Sequence, residues 1–522
     1  MNRLKDDAAD TSTPRSDKAG HLSRAAVGAG SCVVAVAVAA SITIAPTVNA
    51  APVASQSPAA VAATVAPYVP PSPADFSAMS WTDAFRALND KFSREYAFTK
   101  WKHINWRALY RTYSPKIAAA QAANDLNAYY LALRGYIHEL RDGHVSITDV
   151  PQVAQELAGG GTGLILAKLD NGTVAVTWVQ RGGPAALAGV KVGARVLRWN
   201  GKPIDKALSA TSTVLSPSQP TTARKVYEQL RYLTRGPVGA KKTLKFQNRG
   251  KAAKQVVLTA LDDNMLTLQR TDSSSIIKKS GWPKKMVTNR IIKGNIGYVK
   301  IKAEINLPPQ LPGDHTPTLE QFRLAINGFI KAKVKGIIVD VRSNSGGSDQ
   351  MVADFMSSFY SKKALYEYAS YIVPATGTFQ IWKLDEATGQ YRWPGRGIVI
   401  QPAAKRYSGP VVALVDNGCV SSGEGVAMGI KNLPRSRVVG FMGTNGSFGM
   451  VGDAAGMPPG LEVSWPFGQS LNKNKVVQVD SRDGRGGVMP NVRVPMTLQN
   501  AVDVQNGRDV VLAYGLRTIR AM

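Results

Sequence analysis

Two apolar runs constrain this fold more than any other feature: Gly336-Ile337-Ile338-Val339-Asp340-Val341 and Val411-Val412-Ala413-Leu414-Val415. Each ends abruptly at a polar turn, Arg342-Ser343-Asn344-Ser345-Gly346-Gly347 in the first case and Asp416-Asn417-Gly418 in the second. A short, β-branched, unbroken apolar run bounded by turn residues reads as a strand buried on both faces. Ile296–Ile301 reads as a further strand, and Phe322, Leu324, Ile326 and Ile330 mark a helix over 319–332. A helix follows from Ser422, and then Arg437-Val438-Val439-Gly440. Alternation of this kind over 290–500 predicts an α/β sheet flanked by helices.

At 522 residues the chain has room for more than that core, on a prior of roughly 150 residues per domain. Trp81, Phe85, Leu88 and Phe92 fall on one face of a helix that Thr82 or Asp83 can cap. Leu126, Tyr129, Tyr130, Leu133 and Ile137 repeat the spacing, so 75–150 reads as a helical N-terminal domain. Residues 51–74, rich in Ala, Pro, Val and Ser, read as a linker.

Residues 158–262 are different in character. Gly159-Gly160-Gly161-Thr162-Gly163 opens the strand Leu164-Ile165-Leu166. Pro184-Ala185-Ala186-Leu187-Ala188-Gly189 and then Val196-Leu197-Arg198-Trp199-Asn200-Gly201 follow. This stretch resembles a PDZ domain, a β-rich module. Its glycine-rich loop can hold a peptide's C-terminal carboxylate on backbone N–H groups, and its strand edge can pair with the peptide. A packing module without a ligand is the alternative.

Residues 25–46 carry no charge, Arg15, Lys18 and Arg24 precede them, and Val48-Asn49-Ala50 offers small residues for cleavage before Ala51. That order predicts an export signal over 1–50, the rival being a retained N-terminal anchor. Export places the rest of the chain in the periplasm, on the cell envelope or in the medium. Of the two cysteines, Cys32 lies in that segment, which leaves Cys419 alone in the mature chain. The net charge of +28 favours envelope polyanions as neighbours, while no nucleic-acid motif accompanies it.

Chemistry is concentrated in Asp416-Asn417-Gly418-Cys419-Val420-Ser421-Ser422-Gly423-Glu424, between a strand and a helix. A serine hydroxyl can be exposed there while the next N–H points into the same space. By spacing alone, Ser421 and Glu424 equally make a helix capping box.

Three ordered segments, L-R-D-G-H-V at 140–145, V-D-V-R-S-N-S-G-G at 339–347 and S-S-G-E at 421–424, resemble the signature of S41 serine peptidases. The resemblance is to the tail-specific proteases and the tricorn core, and covers about 75–500. It implies a ClpP/crotonase-like α/β peptidase core over 290–500. It implies Ser421 as nucleophile, with N–H groups of Ser422 and of the pair Gly346-Gly347, Gly347 preferred, as oxyanion donors, and Asp340 and Arg342 shaping the turn. One branch of the family takes a lysine base after the serine. No lysine lies between Lys431 and Lys473, and Ser447 stands near the expected place. The tricorn-like branch takes the histidine of D-G-H-V, here His144, whose imidazole suits general-base work. For the acid that orients it, Asp480 and Asp483 are candidates, with Asp480 preferred. The implied reaction is acyl transfer from peptides or unfolded proteins, without cofactor or metal. A degenerate binding protein on the same scaffold and an esterase are the rivals.

Overall fold

The computed structural model describes residues 68–385, 388, 390–392 and 395–522. The export segment and most of the expected linker lie outside them.

The core sheet runs in the order Val287–Ile292, Ile296–Ile301, Gly336–Asp340, Val411–Leu414, Ser436–Gly440, Val492–Arg493. Its first pair is antiparallel and the rest are parallel. The two apolar runs are its central strands. Ile337, Val339 and Val341 meet Phe322, Phe355 and Ile430 on one face, while Ile338, Val412 and Leu414 meet Val511 and Ile519 on the other. Successive side chains point to opposite faces, so a strand covered on both sides must be apolar at every position. Both central strands end at one edge of the sheet, where loops 341–348 and 415–421 leave side by side. In parallel sheets, ligands bind beyond the carboxyl ends of the strands.

A second sheet is built from Ala74–Asp75, Met450–Met457, Leu461–Leu471, Ala364–Val373 and Thr378–Ile381, with Ser146–Ile147 and Ile398–Ile400 paired alongside. The helices Trp81–Glu95, Trp106–Ala122 and Leu126–His138 do not close a core of their own. Phe85, Leu88, Phe92 and Tyr136 share one with Met457, Val463 and Trp465 of this sheet. The first helix is capped by Ser80, whose Oγ accepts the Asp83 N–H at 3.1 Å. Thr82 and Asp83 lie inside the first turn, because the helix begins two or three residues earlier than those caps would place it. The expected linker also ends sooner: Tyr68 is buried against Tyr371 and Trp382, and Ala74–Asp75 pairs with Ala455 and Gly456.

Within 158–262, one sheet runs in the order Lys254–Thr259, Lys241–Gln247, Arg195–Trp199, Val174–Val179, Leu164–Lys168. The helix Thr222–Leu233 packs beside the last of these. The glycine-rich loop is engaged within the chain. Gly160–Gly161 pairs with Arg235–Gly236 and Leu261–Asp262, and Thr162 gives both its N–H and its hydroxyl to the Thr234 carbonyl. Among the described residues no helix is long and apolar enough to cross a membrane.

Candidate active site

Both loops at the sheet edge hang from carboxylates. Asp340, at the end of its strand, accepts from the Tyr298 hydroxyl at 2.7 Å and from Arg342 N, Nε and Nη2 at 2.9, 3.0 and 2.6 Å. Burial opposes its ionisation, but Lys300 and Arg342 outweigh it and hold the carboxyl well below its usual range. Asp416 accepts the N–H groups of Ser343, Gly418 and Cys419 at 2.7, 3.0 and 3.1 Å, tying the two loops together.

Gly346 lies against the nucleophile: a Cβ there would stand 2.5 Å from Ser421 Cβ, at a φ of +80°. Its N–H is committed to Asn344 Oδ1 at 2.7 Å. The Gly347 N–H and the Ser422 N–H, the latter at the helix N-terminus, donate no hydrogen bond among the described residues. Of the three oxyanion candidates, these two remain available. Ser422 Oγ joins them, lying 2.7 Å from the Gly347 carbonyl and 2.8 Å from Asp349 Oδ1.

Ser421 has φ 57° and ψ −136°, a conformation side-chain-bearing residues rarely adopt. It persists because the surroundings fix it. The Ser421 N–H goes to the Ser447 carbonyl at 3.0 Å, and its own carbonyl accepts from Glu424 N at 2.7 Å. Its hydroxyl caps nothing. Glu424 does not reach back to Ser421 as a capping box would. Its buried carboxyl instead accepts from Thr444 Oγ1, Gly446 N and Ser447 N, the last two at 2.8 Å. Burial pushes Glu424 up to about 8 against those donors. It is the anchor of loop 444–447.

That loop brings the histidine segment in. Ser447 Oγ accepts the Gly143 N–H at 2.8 Å, across 304 positions of sequence. His144 follows, its backbone N–H on Asp142 Oδ1 at 2.9 Å. The residue keeps some exposure, yet Nδ1 is buried without a hydrogen-bond partner. Burial lowers the imidazole's proton affinity, Asp142 opposes this, and Lys102 adds to it, which leaves the net shift downward and the ring neutral at pH 7.

Asp480 lies close by but does not touch the ring. Its Oδ2 accepts the Phe448 N–H at 2.7 Å and its Oδ1 stands 3.5 Å from Lys102 Nζ. Lys102 Nζ is also 3.3 Å from Asp142 Oδ2, and 3.0 Å from the Arg141 carbonyl. Tyr96 donates to Asp142 Oδ2 at 2.7 Å. One buried ammonium thus serves two buried carboxylates. The Asp142 carboxyl is lowered: burial opposes, Lys102 and His144 prevail. Asp480, desolvated and facing Asp142 with Lys102 only partly offsetting this, rises to about 7. Asp483 is exposed, paired at 3.5 Å with Arg482.

Sequence reasoning overlooked Lys102, Asp142, Glu424 and Ser447 as working residues. Asp142 and Glu424 stood inside the quoted motifs. Lys102, on a turn after the first helix, carried no signal.

Glu304 closes the back of the Gly346-Gly347 turn. Its carbonyl accepts from Ser348 N at 2.8 Å, Oε1 accepts from Asn344 at 2.8 Å, and Oε2 has no partner. Burial raises its carboxyl to about 8, Asn344 working against that and Asp349 with it. The folded chain thus holds a proton that the unfolded chain releases near 4.5. The resulting stabilisation is full below that value and is lost as pH rises through 8, at up to about 1.4 kcal/mol per pH unit. Glu304→Gln is expected to flatten this slope in denaturant midpoints taken from pH 5 to 9. Equal slopes in the two proteins would dismiss the assignment.

Residues 295–494 match the family model of peptidase family S41. Among solved structures, mature CPAF complexed with lactacystin aligns at TM-score 0.56 and 14% identity, over 85% of this chain and 99% of that one. Mature CPAF alone aligns at 0.54 and 14%, over 83% and 98%. The photosystem II D1 C-terminal processing protease is 16% identical over 83% of this chain and 99% of its own, at TM-score 0.36. At such identity the CPAF likeness is one of fold, and it covers far more of the chain than the S41 segment.

Proposed function

Residues 295–494 are an S41 peptidase core, and on that premise we propose that the chain is an exported serine-type peptidase working through Ser421 and His144. The observation that carries the reading is the convergence on Ser447. Its carbonyl holds the nucleophile's N–H and its hydroxyl holds the residue before the histidine.

In this mechanism the free imidazole nitrogen of His144 takes the Ser421 proton as Oγ attacks the peptide carbonyl. The N–H groups of Gly347 and Ser422 receive the oxyanion. The tetrahedral adduct collapses, His144 returns the proton to the departing amine, and water activated by the same imidazole frees the acyl group. Asp142, beside the ring, supplies the negative charge that favours the imidazolium. Asp480 acts at one remove, by sharing Lys102.

The unfilled Nδ1 favours one other reading, a binding protein on the same scaffold. A serine-reactive phosphonate discriminates: labelling of Ser421, located by mass spectrometry, supports the peptidase. A protein that binds peptides but takes no label belongs to the other class.

Because His144 is held below the ordinary histidine value, the acid limb of kcat/KM is expected to have its midpoint below pH 6.5. A midpoint well above that would show that the imidazole is not the base.

Residues 25–50 support action outside the cytoplasm, and the charge of +28 supports contact with envelope polyanions. Recognition of substrate C-termini by residues 158–262 rests on the open edge of strand Leu164–Lys168, the last in its sheet. Faster cleavage of a peptide with a free carboxylate than of its amide is the expected result. Equal rates would dismiss this part.

A further inference from the structure

The basic charge is unevenly placed. Residues 158–262 hold seventeen Lys and Arg against four Asp and Glu, a net +13 of the chain's +28 in one fifth of its length. The four acids are all engaged: Asp170 with Arg493, Asp205 with Lys168, Glu228 with Arg224 and Arg231, and Asp262 with Gln155. None is left to balance the sheet Arg195–Trp199, Lys241–Gln247, Lys254–Thr259.

The register shows where those cations point. Val196 pairs with Phe246 and Trp199 with Leu244, and these residues belong to the module's core. The alternate pairs, Arg195 with Gln247, Arg198 with Lys245, and Lys245 with Gln255, therefore line the outer face. Arg195, Arg198 and Gln255 are exposed and Lys245 is half-buried. Arg249, Lys251 and Lys254, also exposed, continue the patch around the 248–253 turn. No ion pair involves these six cations among the described residues. Arg198 stands directly across from Lys245, an arrangement that destabilises a sheet unless an anion relieves it. The helix Leu498–Gln505 packs on the neighbouring strand Val174–Val179, so the open part of the face is the basic part.

Aromatic side chains are missing from this surface: Trp199 and Phe246 are buried in the core, and the Trp178 ring is stacked by Arg270 at 4.6 Å. Single-stranded nucleic acid is held by base stacking as well as charge. A phosphodiester chain without bases needs only the charge. We propose that this sheet face is a docking surface for a linear polyol-phosphate polymer, which would hold the protein on an anionic matrix independently of its catalytic centre.

The test uses the full chain carrying Ser421→Ala and a fluorescent poly(glycerol phosphate), read by anisotropy. Combined Arg195→Gln, Arg198→Gln, Lys245→Gln and Lys254→Gln should weaken binding by about 10-fold or more at 50 mM salt, and wild-type binding should fall steeply towards 200 mM. A control removing four exposed cations elsewhere (Arg107→Gln, Lys116→Gln, Arg323→Gln, Lys331→Gln) should change it by less than about twofold. The sheet variant should keep its denaturation midpoint, since it relieves a like-charge pair. Equal losses in the two variants would overturn the proposal in favour of diffuse charge. Tighter binding of an oligothymidylate of equal length would assign the face to nucleic acid. With Ser421 already silent, neither result depends on the peptidase reading.

Discussion

Ser421→Ala is expected to lower casein hydrolysis by about 10⁴-fold or more, and His144→Ala to do nearly the same. The double variant should lose little beyond either single one, because a nucleophile and its base act as a unit. Folding should survive the serine change: the residue's fixed points are its backbone N–H and carbonyl, which alanine keeps. An alanine still has to occupy φ 57°, so a slight drop in stability accompanies the loss of activity. Full activity in His144→Ala with none in Ser421→Ala would leave the nucleophile in place and reject the base. Activity in both variants would reject the site.

Lys102→Met should have the largest effect on stability. The Lys102 side chain is 5% exposed, and it is the cation shared by the fully buried Asp142 and Asp480. Removing one member of a buried ion cluster costs about 3–5 kcal/mol. The sign with pH is fixed by the chemistry. Without the ammonium, both carboxyls rise and one must hold a proton, so the variant is penalised more at pH 8 than at pH 5. Lys102 also depresses the His144 imidazole. The acid limb of the activity profile should therefore move to higher pH in residual Lys102→Met activity, and Lys102→Arg should restore it. A stability loss with an unmoved profile would make Lys102 purely structural.

The core was legible because both central strands are apolar at every position up to the terminal Asp340 of the first, which only a sheet covered on both faces requires. The helix faces were legible for the same reason of periodicity. The cap at Ser80 was missed because Ser80, Thr82 and Asp83 are all good caps, and only the observed helix start chooses among them. Ser421, His144 and the Gly346-Gly347 turn came from motif order, and the loops bring them to one edge of the sheet. The preference for Gly347 over Gly346 came from the resemblance alone; what separates the two in the structure is that Asn344 has already claimed the Gly346 N–H. The role of Lys102 was illegible in principle. It depends on three segments, at 96–102, 141–142 and 480–481, meeting in space, and no local pattern encodes that meeting. The glycine-rich loop shows the converse error. Its composition suggested free amides, whereas Thr234 already takes the Thr162 N–H and neighbouring strands pair with Gly160–Gly161.

The bond between Gly143 and Ser447 also sets a timetable for biosynthesis. A chain emerging from the ribosome exposes the imidazole hundreds of residues before the serine is made, and the helices beside it lack Trp465, which completes their packing. The proposed pair cannot meet until synthesis is almost finished. A nascent or truncated chain cannot assemble the proposed pair, a safeguard supplied by connectivity.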